Sequence, residues 1–407
     1  MRILRGCFDH NRVLNLQKGI MSMNFKPEIS EKEVSEALET AVTQVRRNLE
    51  TFTQACQNHT SVDNFYPTCE NDQWTCGFWP GSVWLAYEHT KDEAFANSGK
   101  VLVDSFLKRI ENKIEVDHHD MGFLYSPSCV AAYKLIGSEN ARKAAILAAD
   151  QLIYRFHEKG EFLQAWGSML APENYRFIID CLMNLPLLYW ASEQTGDAKY
   201  RDIANRHAKT SLRYSIREDG STYHTVFMDR QTGEMIRGET CQGYSDDSFW
   251  ARGQAWAVYG SVLNYRYTKN PAFLAAFRTA LPFYLSKLPD DLIPYWDMIF
   301  TSGTQEPRDS SSAAIVSCGL LEMAEFAPED EAAQYVSLAK QMMKSLVDNY
   351  SVKDPKVSNG LVLHATYSKK SPYNTCTPEG VDECATWGDY FYLEALMRLS
   401  RQWDLYW

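Results

Sequence analysis

Apolar residues recur at helical spacing along most of this chain. The first such segment opens at a Ser30-x-x-Glu33 capping box, and Val34, Leu38 and Val45 share one face of it. The same pattern predicts twelve helices, near residues 30–57, 78–90, 92–115, 127–136, 138–159, 174–195, 197–215, 248–269, 270–288, 310–326, 329–350 and 387–403. Strand patterns are confined to short pieces at 222–227 and 361–364. The predicted fold class is therefore all-α.

Short polar turns and long loops alternate between the predicted helices. The short turns, such as 137–140 and 195–200, are typical of antiparallel helical hairpins. The long loops at 69–81, 117–127, 160–174, 217–247, 289–309 and 351–386 each precede the second helix of a pair. If six hairpins close into a ring, all these loops gather at one end. We therefore expect an (α/α)6 barrel with a single cleft, because a stacked solenoid seldom carries long loops on one side only.

Residues 1–25 precede the first helical pattern, and we expect them to form a flexible lead-in to a single barrel domain at 26–407. Charged residues interrupt every apolar run of this segment, which argues against a signal peptide. No later run approaches the roughly 20 apolar residues of a membrane span. Association with a membrane is therefore not expected.

Composition narrows the classes of partner. The net charge of −11 argues against a nucleic-acid surface, which would need a basic stripe. The 11 Trp and 23 Tyr favour a sugar or another ring-shaped ligand, although packing of aromatic side chains in the core is the alternative. The ten Cys include no C-x-x-C pair, so they are predicted to be reduced thiols of a cytoplasmic protein.

Asp180 is the only carboxylate in the apolar run from Tyr175 to Trp190. An acid flanked by Ile179 and Cys181 loses hydration on burial, so its pKa is expected to rise toward the range of a general acid. The alternative is an Asp that accepts hydrogen bonds from the backbone or from an Arg and only holds the structure together.

The loop at 117–127 places His118, His119 and Asp120 side by side. These side chains can bind metal, but no second cluster of the same kind follows, so no metal site is predicted. Asp120 is instead a candidate second carboxylate of an active site, with His119 contacting the substrate. Two carboxylates from different helices in one aromatic cleft match the acid and base of glycoside hydrolysis.

Aromatic residues mark the other long loops. Trp74 and Phe78 lie beside Gly and Pro in the first, a composition that suits a stacking surface, and Trp166 lies in the third. Arg252 and Trp256 are four residues apart and share a helix face, where they could bind a ring that carries a carboxylate. A structural stack of the two side chains fits the spacing equally well.

Long motifs in this chain resemble the unsaturated glucuronyl hydrolases, glycoside hydrolase family 88. The resemblance spans residues 30–407. The motifs are Gln73-Trp-Thr-Cys-Gly-Phe-Trp79, His118-His-Asp-Met-Gly-Phe-Leu-Tyr125, Gln164-Ala-Trp-Gly167, Ile178-Ile-Asp-Cys-Leu182, Gln242-Gly-Tyr-Ser-Asp-Asp247, Trp250-Ala-Arg-Gly-Gln-Ala-Trp256, Tyr295-Trp-Asp297 and Trp387-Gly-Asp-Tyr390.

The resemblance implies an (α/α)6 barrel, a cytoplasmic location and no metal or cofactor. The implied reaction removes the 4,5-unsaturated uronic acid that polysaccharide lyases leave at the non-reducing end of oligosaccharides. Asp180 is then the general acid and base, and Asp120 its carboxylate partner. The implied substrate-binding residues are Trp74, Phe78, His119, Trp166, His224, Gln242, Arg252, Trp256 and Ser368.

One pair of positions differs from several family members that act on sulfated glycosaminoglycan pieces. Those members have Arg directly before the Gln of the fourth loop and a Ser-x-x-Ser-x-Lys motif near the end, whereas this chain has Cys241 and Tyr373. Lys369 and Lys370 are candidate replacement cations. The preference for sulfated or unsulfated substrate is left open.

Two alternatives to a glucuronyl hydrolase of glycosaminoglycan fragments are an unsaturated rhamnogalacturonyl hydrolase that takes pectin fragments and a carbohydrate-binding barrel without catalysis. The expected partner is an oligosaccharide with an unsaturated uronic acid, and the expected state is a monomer or a weak homodimer.

Overall fold

The computed structural model describes residues 26–407, so the predicted lead-in at 1–25 lies outside the described residues. The helices are α1 (Glu31–Phe52), α2 (Phe78–Thr90), α3 (Glu93–Glu111), α4 (Met121–Tyr125), α5 (Ala131–Ile136), α6 (Glu139–Tyr154), α7 (Cys181–Asn184), α8 (Pro186–Thr195), α9 (Ala198–Tyr214), α10 (Ala251–Thr268), α11 (Pro271–Ser286), α12 (Ser310–Ala324), α13 (Glu329–Ser345) and α14 (Thr386–Ser400). A π-helical turn, Ser126–Val130, joins α4 to α5, and another, Leu346–Tyr350, follows α13.

The strands are short and lie in the long loops. They are β1 (Cys56–Gln57), β2 (Thr68–Cys69), β3 (Phe156–His157), β4 (Phe162–Leu163), β5 (Arg176–Ile178), β6 (Thr225–Met228), β7 (Met235–Glu239), β8 (Ala365–Ser368) and β9 (Glu379–Glu383). They form three antiparallel pairs, β1-β2, β3-β4 and β8-β9, and one three-stranded sheet, β5-β6-β7.

Six helical runs form a closed inner ring. In order they are α2, α4 with α5, α7 with α8, α10, α12 and α14, and α14 packs back against α2. Inner helices are buried nearly all round: every residue of α12 from Ser310 to Leu320 is buried. Helices α1, α3, α6, α9, α11 and α13 pack outside the ring. The predicted (α/α)6 barrel is confirmed.

The helix ends follow the sequence signals. The Ser30 hydroxyl accepts a hydrogen bond from the Glu33 N–H, and the Glu33 carboxylate accepts one from the Ser30 N–H, so the predicted capping box starts α1. Gly137 and Gly196 end α5 and α8 with φ of 67° and 75°, a left-handed conformation that costs glycine little.

The predicted helix at 174–195 is wrong in its first part. Arg176 and Ile178 lie in β5, where they pair with Phe227 and Thr225 of β6, and the helix starts only at Cys181. An unbroken apolar run fits a buried strand as well as a helix, and pairing with β6 decides between them. Asp180 therefore lies at a strand-to-helix turn rather than inside a helix.

Other predicted boundaries also differ from the structure. Helix α6 ends at Tyr154, not near 159, because Phe156 and His157 pair with β4. Helix α1 ends at Phe52, not near 57, because Cys56 and Gln57 pair with β2. Helix α3 ends at Glu111, not near 115, because Lys113 and Glu115 have φ of 56° and 41°. The strand predicted at 361–364 lies at 365–368 instead, because the Val362 N–H donates to the Asp389 carboxylate at 2.9 Å.

None of the helices at 26–407 is long and apolar enough to cross a bilayer.

Arg109 joins the two loops that precede α2 and α4. It is 1% exposed, and all its N–H groups point at oxygen atoms of these loops. The acceptors are Ile114 O, Asn71 Oδ1, Gln73 O, Asp72 O and Glu115 O, at 2.7–3.1 Å. One side chain thus fixes both loops to the barrel.

We expect Arg109→Met to lower the free energy of unfolding by about 3 kcal/mol, because several buried carbonyl groups lose their donor. Urea denaturation measures this. Arg213→Met is the matched control, since Arg213 is 57% exposed and pairs with Glu234 at the surface, so a loss of about 0.5 kcal/mol or less is expected. Equal losses for the two variants would contradict the role of Arg109.

Candidate active site

The long loops enclose a cavity of about 810 Å³ at one end of the barrel. Its lining is acidic and aromatic. It consists of Asp72, Trp74, Lys113, Glu115, Val116, Asp117, His118, Asp120, Gln151, Tyr154, Trp166, Gly167, Ile178, Asp180, His224, Cys241, Gln242 and Tyr367. This volume is large enough for more than one sugar ring.

The structure brings six of the eleven predicted site residues to the cavity surface. These six are Asp120, Asp180, Trp74, Trp166, His224 and Gln242. The other five, Phe78, His119, Arg252, Trp256 and Ser368, are at most 4% exposed and lie in the layer behind the lining. Six predicted site residues therefore line the cavity, and the other five form a second layer behind the lining.

Asp180 is a buried acid with an unused oxygen. Its side chain is 6% exposed, and its Oδ1 has no hydrogen-bond partner in the described part of the chain. Burial raises the pKa of Asp180 to about 6, with His119 opposing and the nearby Asp120 carboxylate adding to the rise. The turn that presents Asp180 is fixed by the Ile179 N–H, which donates to His224 O at 3.1 Å.

Asp120 lies between two imidazoles. His118 Nδ1 is 3.1 Å from Asp120 Oδ2, and His119 Nε2 is 3.2 Å from Oδ1. Burial alone would raise the pKa of Asp120, but the two imidazoles outweigh it and hold that pKa well below its ordinary value. The two carboxyl groups thus differ: Asp120 stays ionised while Asp180 can hold a proton near neutral pH.

His224 presents a defined donor to the cavity. Its Nδ1 accepts the N–H groups of Cys241 and Gln242, each at 3.1 Å. Burial, with the nearby Arg252 charge, lowers the pKa of His224 to about 3. The imidazole is therefore neutral with its proton on Nε2, since Nδ1 is occupied as an acceptor.

Arg252 lies behind the lining and orients Gln242. Its guanidinium is stacked between Trp250 and Trp387, 4.5 and 4.8 Å from the ring centroids. Arg252 Nη2 donates to Gln242 Oε1 at 2.9 Å and to Tyr367 O at 2.8 Å. Because the amide oxygen of Gln242 is engaged, its NH₂ group is the part left to bind a ligand.

Aromatic side chains form the floor of the site. Trp74 stacks on Trp387 with centroids 5.5 Å apart, and its Nε1–H donates to the Tyr367 hydroxyl at 3.2 Å. Beneath it, Phe123 contacts Trp74 and Trp256 at 5.6 and 5.1 Å. Phe78 joins this cluster from α2. The residues Phe78 and Trp256 thus support the lining from below.

Ser368 and the neighbouring lysines form hydrogen bonds or ion pairs with other residues of the protein. The Ser368 hydroxyl donates to Thr377 O at 2.6 Å. Lys369 pairs with Glu306 at 2.5 Å, and Lys370 donates to Asn374 O at 2.5 Å. Cys241, in contrast, lies in the cavity lining. The two candidate cations are therefore not directed into the cavity.

The sequence prediction missed several lining residues. Lys113 and Glu115 fall at the end of the helix predicted near 92–115, and Val116 falls between that helix and the loop predicted at 117–127, so none of the three was a candidate loop residue. Tyr367 lies on β8, next to the region where a strand was predicted, and an aromatic residue in a long loop was the available signal. Gln151 and Tyr154 come from the last turn of α6, which carried no motif.

Within residues 26–407, no group of three or more His, Cys, Asp and Glu side chains is arranged to hold a metal ion. The nine cysteines of this part of the chain are free thiols.

A sequence profile of Glycosyl Hydrolase Family 88 matches residues 45–396. The chain belongs to this family. Five of the eight motifs that carried the resemblance contribute residues to the cavity lining, and residues 73–79, 118–125 and 178–182 among them supply Trp74, Asp120 and Asp180.

Close relatives of this family 88 chain match it over nearly its whole length. The chain is 44% identical over 381 residues to an unsaturated chondroitin disaccharide hydrolase of Streptococcus pyogenes. The matched residues cover 93% of this chain and 94% of the relative. It also superimposes on the crystal structure of an unsaturated glucuronyl hydrolase from Streptococcus agalactiae with a TM-score of 0.90 and 43% identity, covering 98% and 97% of the two chains. A variant of the Streptococcus agalactiae protein, solved as a complex with dGlcA-GalNAc6S, gives a TM-score of 0.82 and 40% identity, covering 99% and 98%.

Proposed function

We propose that this family 88 enzyme is an unsaturated glucuronyl hydrolase that takes disaccharides of the chondroitin type, left by polysaccharide lyases. The observation that carries the proposal is the pair of unlike carboxyl groups, Asp180 with its raised pKa and Asp120 held ionised, in one aromatic cavity. The matching relatives include an unsaturated chondroitin disaccharide hydrolase and a protein complexed with dGlcA-GalNAc6S.

The proposed reaction is hydration of the C4=C5 bond, which is a vinyl ether. Asp180 gives its proton to C4, and the ring oxygen stabilises the cation that forms at C5. The ionised Asp180 then takes a proton from water, and the hydroxyl adds to C5. The resulting hemiketal opens and releases the rest of the sugar, so one carboxyl group serves as acid and then as base.

The cavity offers suitable groups for an unsaturated uronate. The His224 Nε2–H and the Gln242 NH₂ group are uncharged donors for hydroxyl or carboxylate oxygens. Trp74 and Trp166 offer aromatic faces for the sugar rings. Arg252 adds a fixed positive charge from behind Gln242, which favours an anionic substrate in a chain of net charge −11.

Loss of the ultraviolet absorbance of the conjugated uronate tests the proposal. Purified protein is mixed with unsaturated hyaluronan, chondroitin and heparin disaccharides, sulfated and unsulfated. We expect rapid loss with a chondroitin disaccharide. Turnover of pectin-derived fragments alone would indicate a rhamnogalacturonyl hydrolase, and no turnover of any substrate would indicate a binding barrel without catalysis.

The pH dependence of kcat/KM is expected to follow the protonation of Asp180. Because the acid must be protonated in the free enzyme, kcat/KM is expected to fall as the pH rises through about 6, the pKa of Asp180. A kcat/KM profile from pH 4 to 9 checks this. A rate that increases steadily from pH 5 to 8 would contradict Asp180 as the initial proton donor.

A cytoplasmic location and a monomer or weak homodimer are further parts of the proposal. The free thiols of the described cysteines support a reducing compartment.

A further inference from the structure

A buried ion pair lies behind the cavity wall. The side chains of Arg252 and Asp309 are 1% and 0% exposed, and Arg252 Nη1 lies 3.6 Å from Asp309 Oδ2. This distance is longer than a hydrogen bond, and Oδ2 has no hydrogen-bond partner among residues 26–407. Asp309 therefore acts on Arg252 mainly through its charge.

The fold holds the Asp309 carboxylate in place. Asp309 directly precedes α12, whose N-terminal end favours a negative charge. The Ser311 hydroxyl donates to Oδ1 at 2.5 Å, and the Asp309 N–H donates to Pro294 O at 3.0 Å. Burial raises the pKa of Asp309, while Arg252 and Ser311 oppose the rise.

Arg252 connects this carboxylate to the catalytic pair. The titratable groups around Asp180 are His119, Asp120, Arg252 and Cys181, and those around Arg252 are Asp309, Asp180, His224 and Tyr367. Arg252 favours the ionised form of Asp180, which the first step of the reaction cannot use. A negative charge on the far side of Arg252 weakens this effect.

We propose that Asp309 is a positioning residue for the proton transfer: its buried carboxylate offsets the charge of Arg252, so that Asp180 keeps its proton at a pH where the enzyme works. The inference rests on the proposed function for the role of Asp180. Asp309 is not part of the cavity lining, and it acts through Arg252.

The test is the pH profile of Asp309→Asn. With the Arg252 charge uncompensated, the alkaline limb of kcat/KM is expected to move about 0.5 to 1 pH unit lower. KM is expected not to rise, because Arg252 then attracts an anionic substrate more strongly. A limb that stays in place in a folded variant, or a raised KM with an unmoved limb, would overturn the proposal.

Asp389→Asn is the matched control. Asp389 is a buried carboxylate, 5% exposed, held by the Tyr66 hydroxyl at 3.0 Å and the Val362 N–H at 2.9 Å. Both of these partners are uncharged donors, and Arg252 is not among them, so Asp389→Asn is expected to lose stability while the alkaline limb of kcat/KM stays in place. An equal movement of the limb in both variants would show a general effect of structural damage and would overturn the role of Asp309.

An infrared titration measures Asp180 without any turnover. The carbonyl band of the protonated carboxyl group, assigned by its loss in Asp180→Asn, is followed against pH in wild-type protein and in Asp309→Asn. We expect the band to disappear at lower pH in Asp309→Asn, and an unchanged midpoint would overturn the proposal. Failure of the proposed function shows separately, as absence of turnover in the wild-type protein.

Ser311→Ala extends the test to a milder change, for the case in which Asp309→Asn does not fold. Loss of the Ser311 hydroxyl removes the hydrogen bond to the Asp309 carboxylate and makes its ionised form less favourable. The midpoint of Asp180 is then expected to move in the same direction by a smaller amount. A midpoint that moves upward, or not at all, would contradict the proposal.

Discussion

Asp180→Asn is expected to abolish turnover, with a loss of at least about a thousandfold in kcat, while the fold stays intact. The amide has nearly the same volume as the acid but cannot give a proton to C4. Since Asp180 Oδ1 has no hydrogen-bond partner in the described structure, the substitution breaks no hydrogen bond of that atom. The ultraviolet assay measures the loss, and a variant with wild-type kcat would refute the role of Asp180.

The same substitution has an expected effect on stability with a defined sign. Burial raises the pKa of Asp180 from 3.8 to about 6, so this group lowers the stability of the folded state as the pH rises from 3.8 to about 6, and the full loss is present at higher pH. Asp180→Asn should therefore be more stable than the wild type by about 1 to 3 kcal/mol at pH 8, and the difference should shrink toward pH 4. Asp150→Asn, at a carboxylate that is 45% exposed, is the control and should show no such pH-dependent gain.

The helical periodicity of the sequence, together with the long loops on one side of the predicted hairpins, predicted the barrel. Residues such as Val34 and Leu38 recur on one face of α1, and a polar turn such as 137–140 marks the return of the chain. Such short-range patterns can be interpreted without information about residues that are far away in the sequence. The segment at 176–178 was mispredicted because its conformation depends on β6, about 50 residues later in the chain.

Parts of the candidate site were predictable where a single sequence motif contains all the residues that are in contact. His118, His119 and Asp120 are adjacent in the sequence, and they are also in contact in the structure. The partner of Arg252 was not predictable, because Asp309 lies on a different loop and belongs to no motif that includes both. The sequence thus indicates polar groups that are adjacent in the chain, but not a buried charged partner that comes from a distant loop.

Asp120→Asn is expected to lower kcat by about one hundredfold to one thousandfold and to move the alkaline limb of kcat/KM to lower pH. The Asp120 carboxylate contributes to the raised pKa of Asp180, so its loss lets Asp180 release its proton earlier. It also leaves His118 and His119 without the anion that lies 3.1 and 3.2 Å away. The kcat/KM profile of the variant, compared with that of the wild type, measures both effects.

Asp120→Glu separates the charge of Asp120 from its position. Glu keeps the negative charge but moves it by one methylene, so we expect the alkaline limb to stay close to that of the wild type while kcat falls. An Asn variant with an unmoved limb would show that Asp120 does not influence the proton on Asp180. An Asn variant with a wild-type rate would make Asp120 a structural residue, and Asp180 would then have to act without a carboxylate partner.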